Sequence, residues 1–174
     1  MRNILRNTGL MVLLTLATLS AFGQKGRGKA NKETVRWRYE IEAVGTGTRG
    51  SYQIKVWTYS KNEATAVEQC KKNAVHGIIF KGFPARNGVQ GQKSLARSLS
   101  IYEDNKSFFE SFFKSKGGEY MRFVTMSNNG NAAGDRIKIK KKEYKIGSVV
   151  SVDVASLRKY LEEQEIIKGL SSGF

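Results

Sequence analysis

One cysteine and one histidine occur in the whole chain. Cys70 stands alone, so no disulfide can form within the chain and stability must come from packing. His76 has no second histidine beside which to bind a metal, and Cys70, six residues away, points to a different side of a straight helix. Metal binding and a cysteine–histidine nucleophile pair are therefore not expected. Acidic residues are scarce as well. None precedes Glu33, and the only aspartates are Asp104, Asp135 and Asp153. Asp104 or Asn105 reads as the cap of a helix, Asp135 as a turn residue, and Asp153 as a carboxylate at the start of the last helix, where it meets the helix dipole favourably. No pair of carboxylates stands out for general acid–base work. The sequence therefore points to no catalytic constellation and no cofactor. There is no internal repeat, and no apolar run reaches the roughly 20 residues that a membrane-spanning helix needs.

The longest apolar run is Leu10–Leu19, preceded by Arg2 and Arg6 and followed by Ser20-Ala21-Phe22-Gly23. A positive start, a short apolar core and small residues at Ala21 and Gly23 together read as a cleavable signal peptide over residues 1–23. The mature chain is then expected to begin at Gln24, without lipidation, because no cysteine lies near the cleavage point. The expected destination is the periplasm or the outer-membrane periphery. The stretch from Ser20 to Gln24 is similar to signal-peptide ends of the Bacteroidetes, which implies a Gram-negative envelope.

What is abundant is positive charge. The chain has 30 basic residues and 15 acidic ones; without Arg2 and Arg6 the mature charge is +13. Such an excess favours anionic partners. Residues 24–33 are basic and glycine-rich with no large apolar side chain, a composition expected of a flexible tail. One domain is expected over residues 34–170.

Along that domain the apolar pattern changes period repeatedly. Trp37, Tyr39, Ile41 and Ala43 alternate with charged residues, and Tyr52, Ile54 and Val56 alternate again, so two strands are expected around Gly45–Gly50. The Gly45-x-Gly47-x-x-Gly50 spacing matches a dinucleotide-binding fingerprint, but that fingerprint needs a helix after it, and a strand pattern follows. It reads as a hairpin turn. Ser60 and Glu63 have capping-box spacing, and a helix bearing Ala64, Val67, Cys70 and Ala74 is expected to end near His76-Gly77. Ile78-Ile79-Phe80 reads as an interior strand.

Residues 84–103 show little periodicity and read as a long excursion with at most a helical turn. Phe108, Phe109, Phe112 and Phe113 form one broad helical stripe, read as core. Tyr120–Met126 reads as a strand, Asn128–Gly130 as a loop, Asp135–Val154 as a strand or strand pair, and Ser156–Lys168 as a closing helix. The order β-β-α-β-α-β-β-α defines an α+β fold, a mostly antiparallel sheet with helices largely on one face.

The candidate site is the run Arg136-Ile137-Lys138-Ile139-Lys140-Lys141-Lys142. On a strand, Arg136, Lys138, Lys140 and Lys142 are expected on one exposed face. With Lys141, Lys145 and the tail they would make an anion-binding surface; the competing reading is a guarded sheet edge. Trp37, Tyr39, Trp57 and Tyr59 interleave with basic residues, but no nucleic-acid recognition motif is present and an exported protein meets little nucleic acid, so no such partner is expected.

Ala64–Cys70 leading into Ile78–Phe80, the aromatic helix Phe108–Phe113 and the closing Val150–Leu157 together resemble envelope domains of flagellar assembly protein T and related outer-membrane lipoproteins. The resemblance covers roughly Trp37 to Ile167 and implies a compact non-enzymatic unit used in assembly or partner activation. Unlike the lipoprotein members, this chain has no cysteine to lipidate. The expected function is thus a non-catalytic binding or assembly domain of the cell envelope, docked on a protein partner or an anionic surface. The alternative is a small periplasmic enzyme or ligand-processing domain with its site near His76 and residues 84–103.

Overall fold

The computed structural model describes residues 37–169 except 49, 62, 99, 128–134 and 142. The expected signal peptide, basic tail and Asn128–Gly130 loop lie outside the described residues, as does Lys142.

The fold is α+β, as the patterning predicts. A hairpin of β1 (Tyr39–Thr46) and β2 (Ser51–Ser60) leads into α1 (Glu63–Phe80). Two short helices follow, α2 (Ser100–Asp104) and α3 (Lys106–Phe112), then a 3-10 turn (Glu119–Phe123) that runs into β3 (Val124–Met126). A second hairpin, β4 (Arg136–Lys140) and β5 (Glu143–Asp153), precedes the closing helix α4 (Val154–Glu163). All pairings are antiparallel, in the order β1-β2-β5-β3, with β4 paired to β5. β3 and β4 share one flank of β5: β3 lies beside Val150–Val152 and β4 beside Glu143–Ile146.

The glycine-rich segment is the turn expected of it. Gly47 donates to the Ser51 carbonyl at 2.9 Å, and Gly50 takes the left-handed φ of +77° that glycine adopts without penalty. The alternation of β2 places Ile54, Val56, Thr58 and Ser60 against the helices, and β5 contributes Ile146, Ser148, Val150 and Val152 to the same layer. The opposite face is the more open one among the described residues, its Lys55, Trp57 and Tyr59 of β2 only partly buried.

The largest correction concerns Ile78-Ile79-Phe80. These residues are the last turn of α1 and not a strand. A short apolar run marks burial and not conformation, and α1 is buried on nearly every side of its C-terminal half. Gly77 does not stop the helix. It lets α1 approach β1 so closely that a Cβ there would lie 1.9 Å from Ile41 Cδ1.

The excursion after α1 contains a small hairpin, with bridges Phe83–Gln92 and Arg86–Val89. Asn87 and Gly88 at its tip have φ of +50° and +77°, the two left-handed positions of a tight hairpin turn. The chain then returns along α1, Leu95 and Ala96 donating to the carbonyls of Ile78 and Ile79. Tyr120–Phe123 forms a 3-10 turn in place of the first half of the expected strand.

The phenylalanine stripe is core. Phe109, Phe112 and Phe113 are buried and Phe108, partly buried, packs against them. Cys70 is fully buried, its Sγ 3.6 Å from the Ser148 carbonyl of β5, and burial pushes its thiol up to about 12.

Asp153 caps α4, as its position predicts. Its carboxylate accepts from Ser156 N at 2.9 Å and from Ser156 Oγ at 2.7 Å. Asp153→Ala is expected to cost about 1 kcal/mol, readable as a small drop in denaturation midpoint with unchanged m-value.

Candidate functional site: the basic β4–β5 hairpin

Every residue of β4 is exposed. Its register explains what each side chain faces. Arg136 is paired with Ile146 and Lys138 with Tyr144, so both lie on the helix-side face of the sheet, beyond the reach of the helices. Ile137 is paired with Lys145 and lies on the open face. A bulge between Lys138 and Lys140 then shifts the alternation, so Lys140 registers with Glu143. The cations expected on one face are therefore divided between two, and the bulge is the cause. Lys141 follows in the exposed turn.

Lys145 is not part of this exposed set. Its ammonium donates to Glu40 Oε2 at 2.6 Å across the open face and stands over the Trp57 ring. That hydrogen bond raises the lysine's pKa, and the same bond, aided by the Tyr59 hydroxyl, lowers that of Glu40.

Lys145 is one of several paired cations on this open face. Arg38 meets Glu143 at 3.0 Å, Lys55 meets Asp135 at 2.5 Å, and Arg86 meets Glu42 at 2.8 Å. Trp57 Nε1 donates to Glu42 Oε1 at 2.8 Å, and Tyr59 donates to Glu40 Oε1 at 2.9 Å. The Trp57 indole lies across β5 where Gly147 leaves room for it: a Cβ there would come within 3.0 Å of two ring carbons. The open face is thus tiled by matched charges and rings.

β4 differs. Among the described residues no carboxylate forms an ion pair with Arg136, Lys138, Lys140 or Lys141. Arg136 instead lays its guanidinium 4.0 Å from the centre of the Tyr144 ring. Between these cations stand Ile137 and Ile139, exposed at 47% and 42%.

A second cluster surrounds His76. Its Nδ1 lies 2.6 Å from the Tyr39 hydroxyl, and its ring stacks on Trp37 at 3.6 Å with Phe80 and Phe113 alongside. Burial, then the nearby Lys81 and Lys72, bring the imidazole down to about 3. Burial also brings Lys72 down to about 8. None of the ring or hydrogen-bond partners described for His76 comes from residues 84–103. No partner for His76 is evident in the sequence beside it; the signal that locates it is the spacing Lys72, His76, Phe80, one helical turn apart on the side of α1 where Trp37 and Tyr39 arrive.

Among the described residues no group of three or more histidine, cysteine, aspartate or glutamate side chains is placed to hold a metal, and no helix is long and apolar enough to cross a membrane. Comparison with protein-family models, with curated proteins and with solved structures found no match.

Proposed function

We propose that this chain is an exported, non-catalytic docking domain of the bacterial cell envelope, seated on an anionic envelope surface by the β4–β5 hairpin. The observation that carries the reading is the contrast between paired and unpaired cations. Arg38, Lys55, Arg86 and Lys145 are each matched by a carboxylate, whereas the cations of β4 project from a sheet edge with no acidic neighbour in ion-pair range among the described residues. Unmatched like charges on one edge repel one another, and an external anion relieves that repulsion. Edge lysines also discourage strand-to-strand aggregation, and the two roles are compatible.

The environment of His76 supports a role without turnover. A general base needs a reachable nitrogen and a proton affinity near the working pH. His76 is buried, hydrogen-bonded to Tyr39 and held far below its ordinary basicity.

The test compares the full chain with its Lys138→Gln, Lys140→Gln, Lys141→Gln variant in co-sedimentation with vesicles containing anionic phospholipid. Both proteins carry the same residues 1–36, so the difference reads the hairpin alone. Three charges at about 1 kcal/mol each predict partitioning lower by on the order of 100-fold at low salt, with the gap closing as salt rises. Equal retention at low salt would overturn the anionic-surface reading and leave a protein partner as the one to pursue by pull-down from envelope membranes.

A further inference from the structure

We propose that the hairpin contacts a lipid bilayer and inserts Ile137 and Ile139 below the headgroups while its cations hold the phosphates; this rests on the docking role proposed above. Charge alone would be served by any polyanion. Two features of β4 fit a bilayer specifically. The first is the position of the apolar side chains. The exposed large hydrophobics of the described chain are Val44, Ile137 and Ile139, and two of the three stand on this one five-residue strand among its cations. The second is the freedom of the edge. β4 borders β5 on one side, and no described strand pairs with the other, so the strand can lie along a surface without displacing any described structure.

A membrane interface has the matching chemistry in the matching order, phosphates outermost and acyl chain beneath. Long lysine and arginine stems reach back to the phosphates while a shorter apolar side chain between them enters the acyl boundary. The bulge between Lys138 and Lys140 contributes as well. It puts cations on both faces of the strand, so the phosphates can be met on either side of the inserted isoleucines. Four cations within six residues supply the complementarity to an anionic bilayer that a neutral one lacks.

The lone native cysteine makes a site-specific test simple, because Cys70 is fully buried and its thiol is held protonated. Ile139→Cys and, as a control, Lys159→Cys are each labelled in the full chain with an environment-sensitive fluorophore. Lys159 is exposed on α4, which starts at the opposite end of β5 from the hairpin. With vesicles of phosphatidylcholine and phosphatidylglycerol at 4:1, the label at 139 is expected to shift to the blue and become shielded from acrylamide, and the label at 159 is not. Pure phosphatidylcholine is expected to give neither change. The unlabelled Ile137→Thr, Ile139→Thr variant keeps β-branched residues on the strand and is expected to partition on the order of 10-fold less into the mixed vesicles.

If the label at 139 stays in water and the threonine variant partitions normally while the glutamine variant does not, insertion is wrong and electrostatic docking stands. If the glutamine variant also partitions normally, the docking role fails with it. Saturation of the protein by soluble polyphosphate with no preference for vesicles would assign the edge to a free phosphate polymer and overturn the bilayer proposal.

Discussion

Phe109→Ala is expected to lower the unfolding free energy by about 3–5 kcal/mol. In a domain of this size that corresponds to a fall in Tm of roughly 10 °C or more, measurable by thermal melts followed in the far ultraviolet. Phe109 is fully buried on α3 and meets rings from three directions: Phe80 of α1 at 5.1 Å, Tyr102 of α2 at 5.3 Å, and Phe108 and Phe113 of its own segment at 5.1 and 6.2 Å. Stiff aromatic neighbours, of which Phe80 and Tyr102 already meet each other at 5.7 Å, have little room to collapse into the space left behind, so the cavity cost adds to the lost transfer energy. Total stabilities run to only about 5–15 kcal/mol, so this single change removes a large share. Phe108→Ala is the internal comparison. Phe108 is only partly buried and stacks on Phe112 at 5.5 Å, so its truncation should cost less than at Phe109. Equal losses, or a loss below about 1 kcal/mol at Phe109, would show that the aromatic block does not organise the core.

That block was legible from spacing alone, because helical periodicity and burial coincide in Phe108–Phe113. The first hairpin was legible for a similar reason: alternation on both sides of a glycine-rich segment leaves little else for it to be. At Ile78–Phe80 the pattern misleads, because periodicity vanishes when a helix is wrapped on all sides and nothing local distinguishes its last turn from a buried strand. Asn87-Gly88 is a strong two-residue hairpin signal, but the aperiodic stretch around it lacks the flanking alternation that would make it legible.

The candidate site divides along the same line. Exposure of the β4 cations follows from composition and alternation, both local. The bulge after Lys138 depends on pairing with β5, and the removal of Lys145 depends on Glu40, a residue 105 positions away. Neither is written in the run itself. The His76 cluster shows the limit most clearly, since its partners come from α1, β1 and the segments before β1 and after α3, which only the tertiary fold brings together.

His76 also sets the second large effect, an acid limb in the stability curve. In the folded chain Nδ1 shares a 2.6 Å hydrogen bond with the Tyr39 hydroxyl, Trp37 and Phe113 flank the ring, and the nearby charged groups, Lys72 of α1 and Lys81 just beyond it, are cationic. A proton on the imidazole would put a positive charge in a buried site, beside two cations and with no described acidic partner. The folded group therefore titrates at about 3, against an ordinary value of 6.5. Above pH 6.5 neither the folded nor the unfolded chain binds this proton, and the imidazole gives no pH dependence. Below it the unfolded chain takes a proton that the folded chain refuses, so stability falls with decreasing pH by up to about 1.4 kcal/mol per unit. The fall levels off near pH 3, after a total of about 4–5 kcal/mol. His76→Gln isolates this contribution. The variant loses the stack on Trp37 and starts less stable at neutral pH, but it has no imidazole to titrate, so its deficit should shrink steadily from pH 6.5 downward. The exposed Glu40–Lys145 pair is common to both proteins and cancels in the difference. Urea unfolding of both chains at intervals from pH 7.5 to 3.5 measures it directly. Curves that run parallel through that range, or an imidazole resonance titrating near 6.5 in the folded protein, would mean that His76 is reached by water and that the buried cluster does not hold.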